Sequence, residues 1–434
     1  MDERRTIVVI SQVYVPDPAA VGQQVSDAAA ELAARGFRVK VFTSRCGYDD
    51  PTVVYPAREI VRGVEIARLP CASFGKRSIA RRMLGASLFL MQATLRALFT
   101  RKLAGLVIST SPPTCGAAAL LVSIFRRVPF VYWVMDINPD QAVTMGIASE
   151  RSVSVRVFHW LNRQVLRRAK SVVTLDRFMA ERLQRKAELN GKLTILPPWP
   201  MEEPDEPVSH DQNPFRRAHQ MCGKFVVMYS GNHSPANPIG TVIAAAEALA
   251  HRRDIVFAFV GGGIAKEEVR SAVARGAANI LDLPYEPLSE LKYSLSAADL
   301  HVVTLGNQGV GIVHPCKVYG AMAVGRPIVY VGPKSSHVGD ILAQHDVGAH
   351  VDHGDVSALV RAIEAFAKMT PHRRQAMGAL ARRVVSQRLG KSVVRKEFCD
   401  IVERAMTGEV HQAGEEIAAE TDALATPESD LMAA

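Results

Sequence analysis

Residues 311–329, GIVHPCKVYGAMAVGRPIV, place Lys317 in the first turn of a short predicted helix, just after a strand and a His-Pro-Cys turn. A cation there opposes the helix dipole at a cost of about 0.3–1 kcal/mol when exposed. A bound anion reverses that sign, because amide hydrogens, dipole and ammonium together make a phosphate site that needs no metal. Pro315 suits the first helical position, His314 lies three residues back on the same face, and Tyr319 follows within the turn. Gly320 costs about 1 kcal/mol against alanine in mid-helix, which predicts a close approach by backbone or ligand, and Gly325 followed by Arg-Pro reads as a helix stop. The alternatives are a snorkelled surface lysine for Lys317 and a neutral core histidine for His314.

Other chemistry-bearing residues stand where strands end. After KFVVMYSG comes NHSPANPIG, so Gly231 and Asn232 sit at a strand's carboxyl end, unless this is a plain turn. After IVFAFV come three glycines, 261–263, which let the chain pass close to a ligand. The strand FVYWV delivers Met-Asp-Ile-Asn-Pro, in which Asn138 can cap and Pro139 can start a helix. Asp136 then projects from a strand end, a suitable place for a carboxylate that orients or deprotonates a hydroxyl, or else for a turn aspartate bonded to backbone. The first loop, VYVPDPAAVG, is not a G-x-G-x-x-G fingerprint, and the second strand ends Thr-Ser-Arg without the acid expected for ribose. An NAD enzyme is therefore not expected.

The elements that must hold these residues follow from periodicity. Strands are predicted at 6–11, 37–43, 106–109, 130–134, 172–175 and 193–196, with helices at 23–34, 79–100, 117–125, 153–168 and 177–186 between them. A proline- and acid-rich stretch then reads as a linker over 198–216. A second series has strands at 225–229, 255–260, 279–283, 300–304, 328–331 and 350–351, and helices at 241–250, 266–274, 288–295, 317–324, 356–367 and 372–387. The fold class is α/β: two tandem Rossmann-like, doubly wound parallel-sheet domains, 1–197 and 217–390, with a cleft between them that receives ligands at the strand carboxyl ends. A helix at 391–407 follows, and the acidic tail, 408–434, is expected to be disordered.

The 434 residues are 48% hydrophobic and 22% charged, the composition of globular protein and too long for one core. Net charge is +9, but residues 409–434 hold seven acids and no Lys or Arg; without them 52 basic residues face 36 acidic ones. A body so basic favours polyanions. Six scattered cysteines form no C-x-x-C pair, so neither a zinc site nor a disulfide framework is expected. The start MDERRTIVVI has no small-residue cleavage site, so no secretory leader is expected, and a cytoplasmic protein is. The run 83–99, broken by Gln92 and Arg96, falls short of a membrane span. Segment 76–102 nevertheless holds seven cations and no acid, which fits either a helix lying on an anionic inner-membrane surface or a solvated helix with a core-facing stripe. Nucleic acid is not expected as a partner, since no recognition-helix motif or aromatic-rich basic strand set accompanies the charge.

Taken in order, YVPDPAAVGQ, TSPP (110–113), MDINPD (135–140), LPPW (196–199), YSGN (229–232), VGGG (260–263), LPY (283–285), AADL (297–300) and HPCKVYGAMAVGRP resemble the retaining glycosyltransferases of the GT-B fold, family 4, over roughly 6–406. The branch most similar assembles bacterial surface polysaccharides of the colanic-acid or O-antigen kind. The resemblance implies a metal-independent hexosyltransferase with no cofactor. It implies a UDP- or GDP-sugar donor on the second domain and a lipid-linked glycan acceptor on the first. It places Gly231, Asn232, Gly262, Tyr285, His314, Lys317 and Tyr319 toward the donor, the Gly22 loop toward the donor's reacting sugar, and Asp136 toward that sugar and the acceptor. It also implies that the last helix returns to the first domain.

Many members of that family carry two glutamates eight positions apart around this motif; here those positions are Ile312 and Gly320. The usual Arg and Lys after the YSG turn are replaced by Asn232 and Asn237. Lys317 is then expected to carry more of the phosphate work than is typical. Two rival readings remain: a catalytically degenerate GT-B subunit that binds a nucleotide-sugar or a partner without transfer, and a GT-B nucleotide-sugar epimerase.

Overall fold

The computed structural model describes residues 5–17, 19–47, 50–72, 79–204, 206 and 208–408. Of these, 5–198 with 392–408 form one compact unit and 199–391 a second. The expected disorder of the acidic tail, and the cations Lys76 and Arg77, lie outside the described residues.

The first unit is built on eight strands: β1 (Thr6–Ile10), β2 (Arg38–Ser44), β3 (Arg58–Val61), β4 (Val64–Leu69), β5 (Leu103–Ser109), β6 (Phe130–Val134), β7 (Ser171–Thr174) and β8 (Leu193–Ile195). They lie in the order β3-β4-β2-β1-β5-β6-β7-β8. Its helices are α1 (Ala20–Ala34), α2 (Ile79–Leu98), α3 (Cys115–Arg126), α4 (Asp140–Thr144), α5 (Val153–Arg168) and α6 (Arg177–Gln184). Seven strands run parallel, with β1 between β2 and β5, so the chain direction reverses there and opens a switch-point crevice above the carboxyl ends. The exception is β3, which pairs antiparallel with β4. Arg62 and Gly63, with φ of 50° and 78°, make the two-residue turn that such a hairpin requires. The reading above missed this hairpin, although REIVRGVEIARL alternates and carries its turn residues.

In the second unit, α7 (Pro214–Ala218) precedes β9 (Phe225–Ser230), α8 (Gly240–Ala248), β10 (Ile255–Val260), α9 (Lys266–Ala274), β11 (Ile280–Leu283), α10 (Leu291–Ser296), β12 (Leu300–Thr304), α11 (Lys317–Ala323), β13 (Ile328–Val331), α12 (His337–Gln344), β14 (Gly348–Val351), α13 (Val356–Lys368) and α14 (Pro371–Val384). The sheet order β11-β10-β9-β12-β13-β14 is parallel throughout. Strands β10, β12 and β13 are buried at every position, which is why they read as continuous apolar runs without alternation. Helix α12 was not foreseen.

The stretches 199–204 and 208–213 are not a loose linker. Trp199 is fully buried, Asn213 caps α7, and backbone carbonyls of Pro204 and Val208 accept from Arg382 and Arg326 of the second unit. The Pro- and acid-rich composition marked 198–216 as free of regular structure, but α7 begins inside it at Pro214, with Asn213 as its cap; composition said nothing about anchoring.

The last helix, α15 (Lys391–Thr407), belongs to the first unit. The Phe398 ring meets that of Trp133 on β6 at 4.1 Å, and Arg35 on α1 pairs with Asp400 and Glu403. Tyr132, the neighbour of Trp133, points to the other side of the sheet, toward Cys115 at the start of α3.

Candidate functional site

In the second unit, β9 lies between β10 and β12, so the loops after these strands share the carboxyl edge at the switch point. Gly231 ends β9 with φ 125°, and a Cβ there would lie 2.9 Å from Cε of Lys317. The lysine stem therefore lies against bare backbone. Its Nζ stands 5.1 Å from the centroid of the Tyr229 ring, a cation–π contact. Lys317 is half-buried, and among the described residues it has no carboxylate or hydrogen-bond partner. An ammonium in that position retains attraction for an anion.

The glycine run meets this loop from the side. Gly261 packs so tightly on the backbone of Gly231 that no side chain fits, and a Cβ on Gly262 would lie 2.9 Å from the Tyr285 ring. Gly263 (φ 123°) abuts the His233 carbonyl and the Asn232 side chain. Gly231, Asn232, Gly262, Tyr285 and Lys317 are thus brought into one connected edge.

Two residues beneath that edge were missed. Lys266, at the start of α9, is buried; its Nζ donates to the carbonyls of Phe259, Gly261 and Leu283 at 2.8, 2.7 and 2.5 Å and pairs with Asp282 at 2.8 Å. It ties the ends of β10 and β11 together under the glycines. His233 is fully buried; its ring stacks near Tyr229, and Nδ1 lies 3.3 Å from the Gly262 carbonyl. Burial, then the Lys266 and Lys317 charges, hold its pKa down to about 4, so it is neutral at pH 7. A neutral imidazole leaves the positive charge at this edge to the two lysines. The clue to Lys266 was a lysine six residues after a strand, directly behind the apolar and glycine residues 261–265.

Tyr319 is placed differently from the expectation, and His314, half-buried, is bonded to it. Tyr319 is fully buried, and its hydroxyl lies 2.7 Å from Nε2 of both His314 and His337. A hydroxyl donates to one imidazole and accepts from the other, so Tyr319 supports His314 and does not present itself to a ligand. Pro315 lies two residues before α11, and the helix has only seven residues, so its dipole is weaker than the sequence argument assumed. At Gly320 a Cβ would meet only Leu295, at an ordinary 3.5 Å; no backbone approaches. Gly325 (φ 68°) ends the helix as expected.

In the first unit, Gly22 and Asp136 both lie at the carboxyl edge of the sheet. A Cβ on Gly22, in the first turn of α1, would come within 3.1 Å of the Tyr14 backbone, so the glycine is needed to seat the 11–19 loop. Asp136 follows β6, and its amide donates to Thr110 Oγ1 at 3.2 Å. The carboxyl is half-buried, has no hydrogen-bond partner among the described residues, and is pushed by burial up to about 6. Pro139, with no side-chain cap, precedes α4, which starts at Asp140. Asn138 does not cap it; its carbonyl accepts from the buried Asn162 at 2.9 Å.

The family described as Glycosyl transferase 4-like domain matches residues 19–199, and Glycosyl transferases group 1 matches 224–368. The chain belongs to the glycosyltransferases of the GT-B fold. A protein of Pseudomonas aeruginosa described as the probable glycosyltransferase WbjE is 25% identical over 291 residues, 65% of this glycosyltransferase and 72% of that protein. Sucrose-phosphate synthase from Thermosynechococcus elongatus shares the fold at TM-score 0.72 and 17% identity, covering 94% of this chain and all of that one. Anabaena Alr3699/HepE, solved with UDP and glucose, does so at 0.67 and 15%, covering 92% and 100%. WaaG, involved in lipopolysaccharide biosynthesis, does so at 0.68 and 14%, covering 91% and 99%.

Proposed function

We propose that this glycosyltransferase moves a hexose from a UDP- or GDP-sugar to a lipid-linked glycan in bacterial surface-polysaccharide assembly, with retention of anomeric configuration and without metal. The observation that carries the reading is the Lys317 ammonium, half-buried over Tyr229, against the bare backbone of Gly231 and without an acidic partner among the described residues. As the glycosidic bond breaks, the diphosphate gathers charge, and a preorganised cation aimed at it lowers the barrier. Lys266, its charge balanced by Asp282, holds the glycine edge in place beneath Lys317. In this reading Asp136, with its raised pKa, orients and deprotonates the acceptor hydroxyl. The acceptor and pathway rest on the motif resemblance described above, and the pathway is supported by the likeness to WaaG, a glycosyltransferase involved in lipopolysaccharide biosynthesis.

The test is transfer of labelled sugar from a panel of UDP- and GDP-sugars to membrane extract. Lys317→Ala is expected to lower kcat/KM by roughly 10²–10³ with the chain still folded; transfer at the wild-type rate removes the proposal. A specific observation favours a second reading. Ile312 is buried in the core and Gly320 has no side chain, so neither position offers the carboxylates many relatives use. Donor binding without any transferred product identifies the degenerate binding subunit, and donor turnover without acceptor identifies the epimerase.

A further inference from the structure

In the first unit α3 packs against both α2 and α5, and arginines fix the three helices side by side. Arg126 at the end of α3 donates to the carbonyls of Leu98 and Thr100 at the end of α2, and Arg168 at the end of α5 donates to Ser123 on α3. The outer surface of this layer is unusual in two ways. It exposes large apolar side chains: Met83, Leu84, Met91, Leu95 and Phe99 from α2 and its end, Leu121, Ile124 and Phe125 from α3, and Val153, Val157 and Trp160 from α5. Phe99 is 82% exposed and Phe125 71%. Yet α2, α3 and α5 contain no acidic residue at all. Interleaved with the apolar groups are the exposed cations Arg81, Arg96, Arg101, Arg127, Arg156 and Arg163.

The edge of the layer carries a groove of about 870 Å³ along α5 and the end of α6. Val153, Arg156, Val157, Trp160 and Arg163 recur at helical spacing along one stripe of α5 and line it. Lys186 in its wall is already paired with Asp140 at 2.5 Å, and Glu150 is the one acid lining it. Arg156 and Arg163 have no partner among the described residues. Of the three tryptophans, Trp133 and Trp199 are buried, whereas Trp160 is 54% exposed. A solvated helix does not put phenylalanine and tryptophan outward. A protein partner that covered this surface would have to be apolar and acidic at once, whereas an anionic bilayer offers both properties over its whole area: acyl chains below a layer of phosphate.

We infer that the α2–α3–α5 face docks on an anionic phospholipid membrane, with Phe99, Phe125 and Trp160 inserted at the headgroup boundary and the interleaved arginines on lipid phosphates. The surface is wider than the segment 76–102 read from the sequence, because α3 and α5 supply half of it. No described helix is long and apolar enough to cross a bilayer. At the cytoplasmic leaflet it would hold the acceptor-side unit where lipid-linked glycans are anchored.

The test needs no sugar nucleotide, so its outcome is independent of the proposed reaction. The full chain is mixed with vesicles of phosphatidylglycerol and phosphatidylcholine, or of phosphatidylcholine alone, and floated. Binding is expected at least about tenfold tighter to the anionic vesicles and weaker in high salt. Brominated acyl chains should quench Trp160, the one exposed tryptophan, with little quenching left in Trp160→Phe. Arg156→Glu with Arg163→Glu, both at exposed positions, should lower binding at least about tenfold with an unchanged melting curve. Binding to neutral vesicles alone, unquenched Trp160 on bound protein, or a stable dimer that buries this face in place of lipid overturns the inference.

Discussion

Asp136 is the residue whose chemistry is most open to titration. Its folded pKa of about 6 lies above the ordinary value of 3.8, so the native state holds the proton more tightly than the unfolded chain. Stability is then full below about pH 4 and falls as pH rises through 6, by up to about 3 kcal/mol at neutral pH, because the carboxylate must ionise in a half-buried place. Asp136→Asn removes that penalty. The variant is expected to melt higher than wild type at pH 7.5 and no higher at pH 4, while transfer falls by at least about 10². The kcat/KM of the wild type should rise with pH through about 6, since the base acts as the anion. A wild type that melts equally at both pH values, or a rate that falls over that range, contradicts this assignment. Lys317 was legible from its turn, but its ring partner, Tyr229, was not: the two are far apart in sequence and only the switch point brings them together.

At the scale of elements, the glycine edge depends on α9. Its first residue, Lys266, is buried with an ion pair and three carbonyl bonds, and burial lowers its pKa against the opposing pull of Asp282. Lys266→Met keeps the stem and removes the charge, so the carbonyls of Phe259, Gly261 and Leu283 lose its bonds and Asp282 is left to Arg270 at 3.6 Å. The loss is expected to be about 3 kcal/mol or more, read as a fall in Tm of roughly 6–12 °C, with donor KM raised as the loop loosens. An unchanged Tm together with an unchanged KM shows that the lysine is incidental. The hairpin β3–β4 makes the converse point, since its alternation and its Arg-Gly turn were both visible in the sequence. It was missed because the parallel pattern around it set the expectation.

For the whole molecule, the chain's order is not the order of its units. Helix α15 follows the second unit in sequence and completes the first, with Phe398 and Cys399 fully buried against β6 and α1. Phe398→Ala is expected to cost about 3–5 kcal/mol, and the loss should appear in the first unit. Hydrogen exchange in β1, β5 and β6 should accelerate while β9, β10 and β12 stay protected. Acceleration confined to the second unit would place α15 elsewhere.

The sequence by itself determined the alternation of strands and helices, two sheets dominated by parallel pairing, the strand ends that carry the candidate site, and the candidacy of Lys317, Gly231, Gly262 and Asp136. Those are local matters: periodicity fixes an element, and an element's end fixes which residues face the crevice. Only the tertiary structure decided that Tyr319 is spent between two histidines, that no backbone crowds Gly320, and that Lys266 underlies the glycine edge. It alone joined α2, α3 and α5, none of which carries an acid, into one surface of apolar side chains and arginines. The physical reason is that pairing, burial and exposure depend on which distant segments meet, and a charged or aromatic side chain reads the same in a one-dimensional pattern whether it ends up in the core, in a site or on a membrane-facing wall.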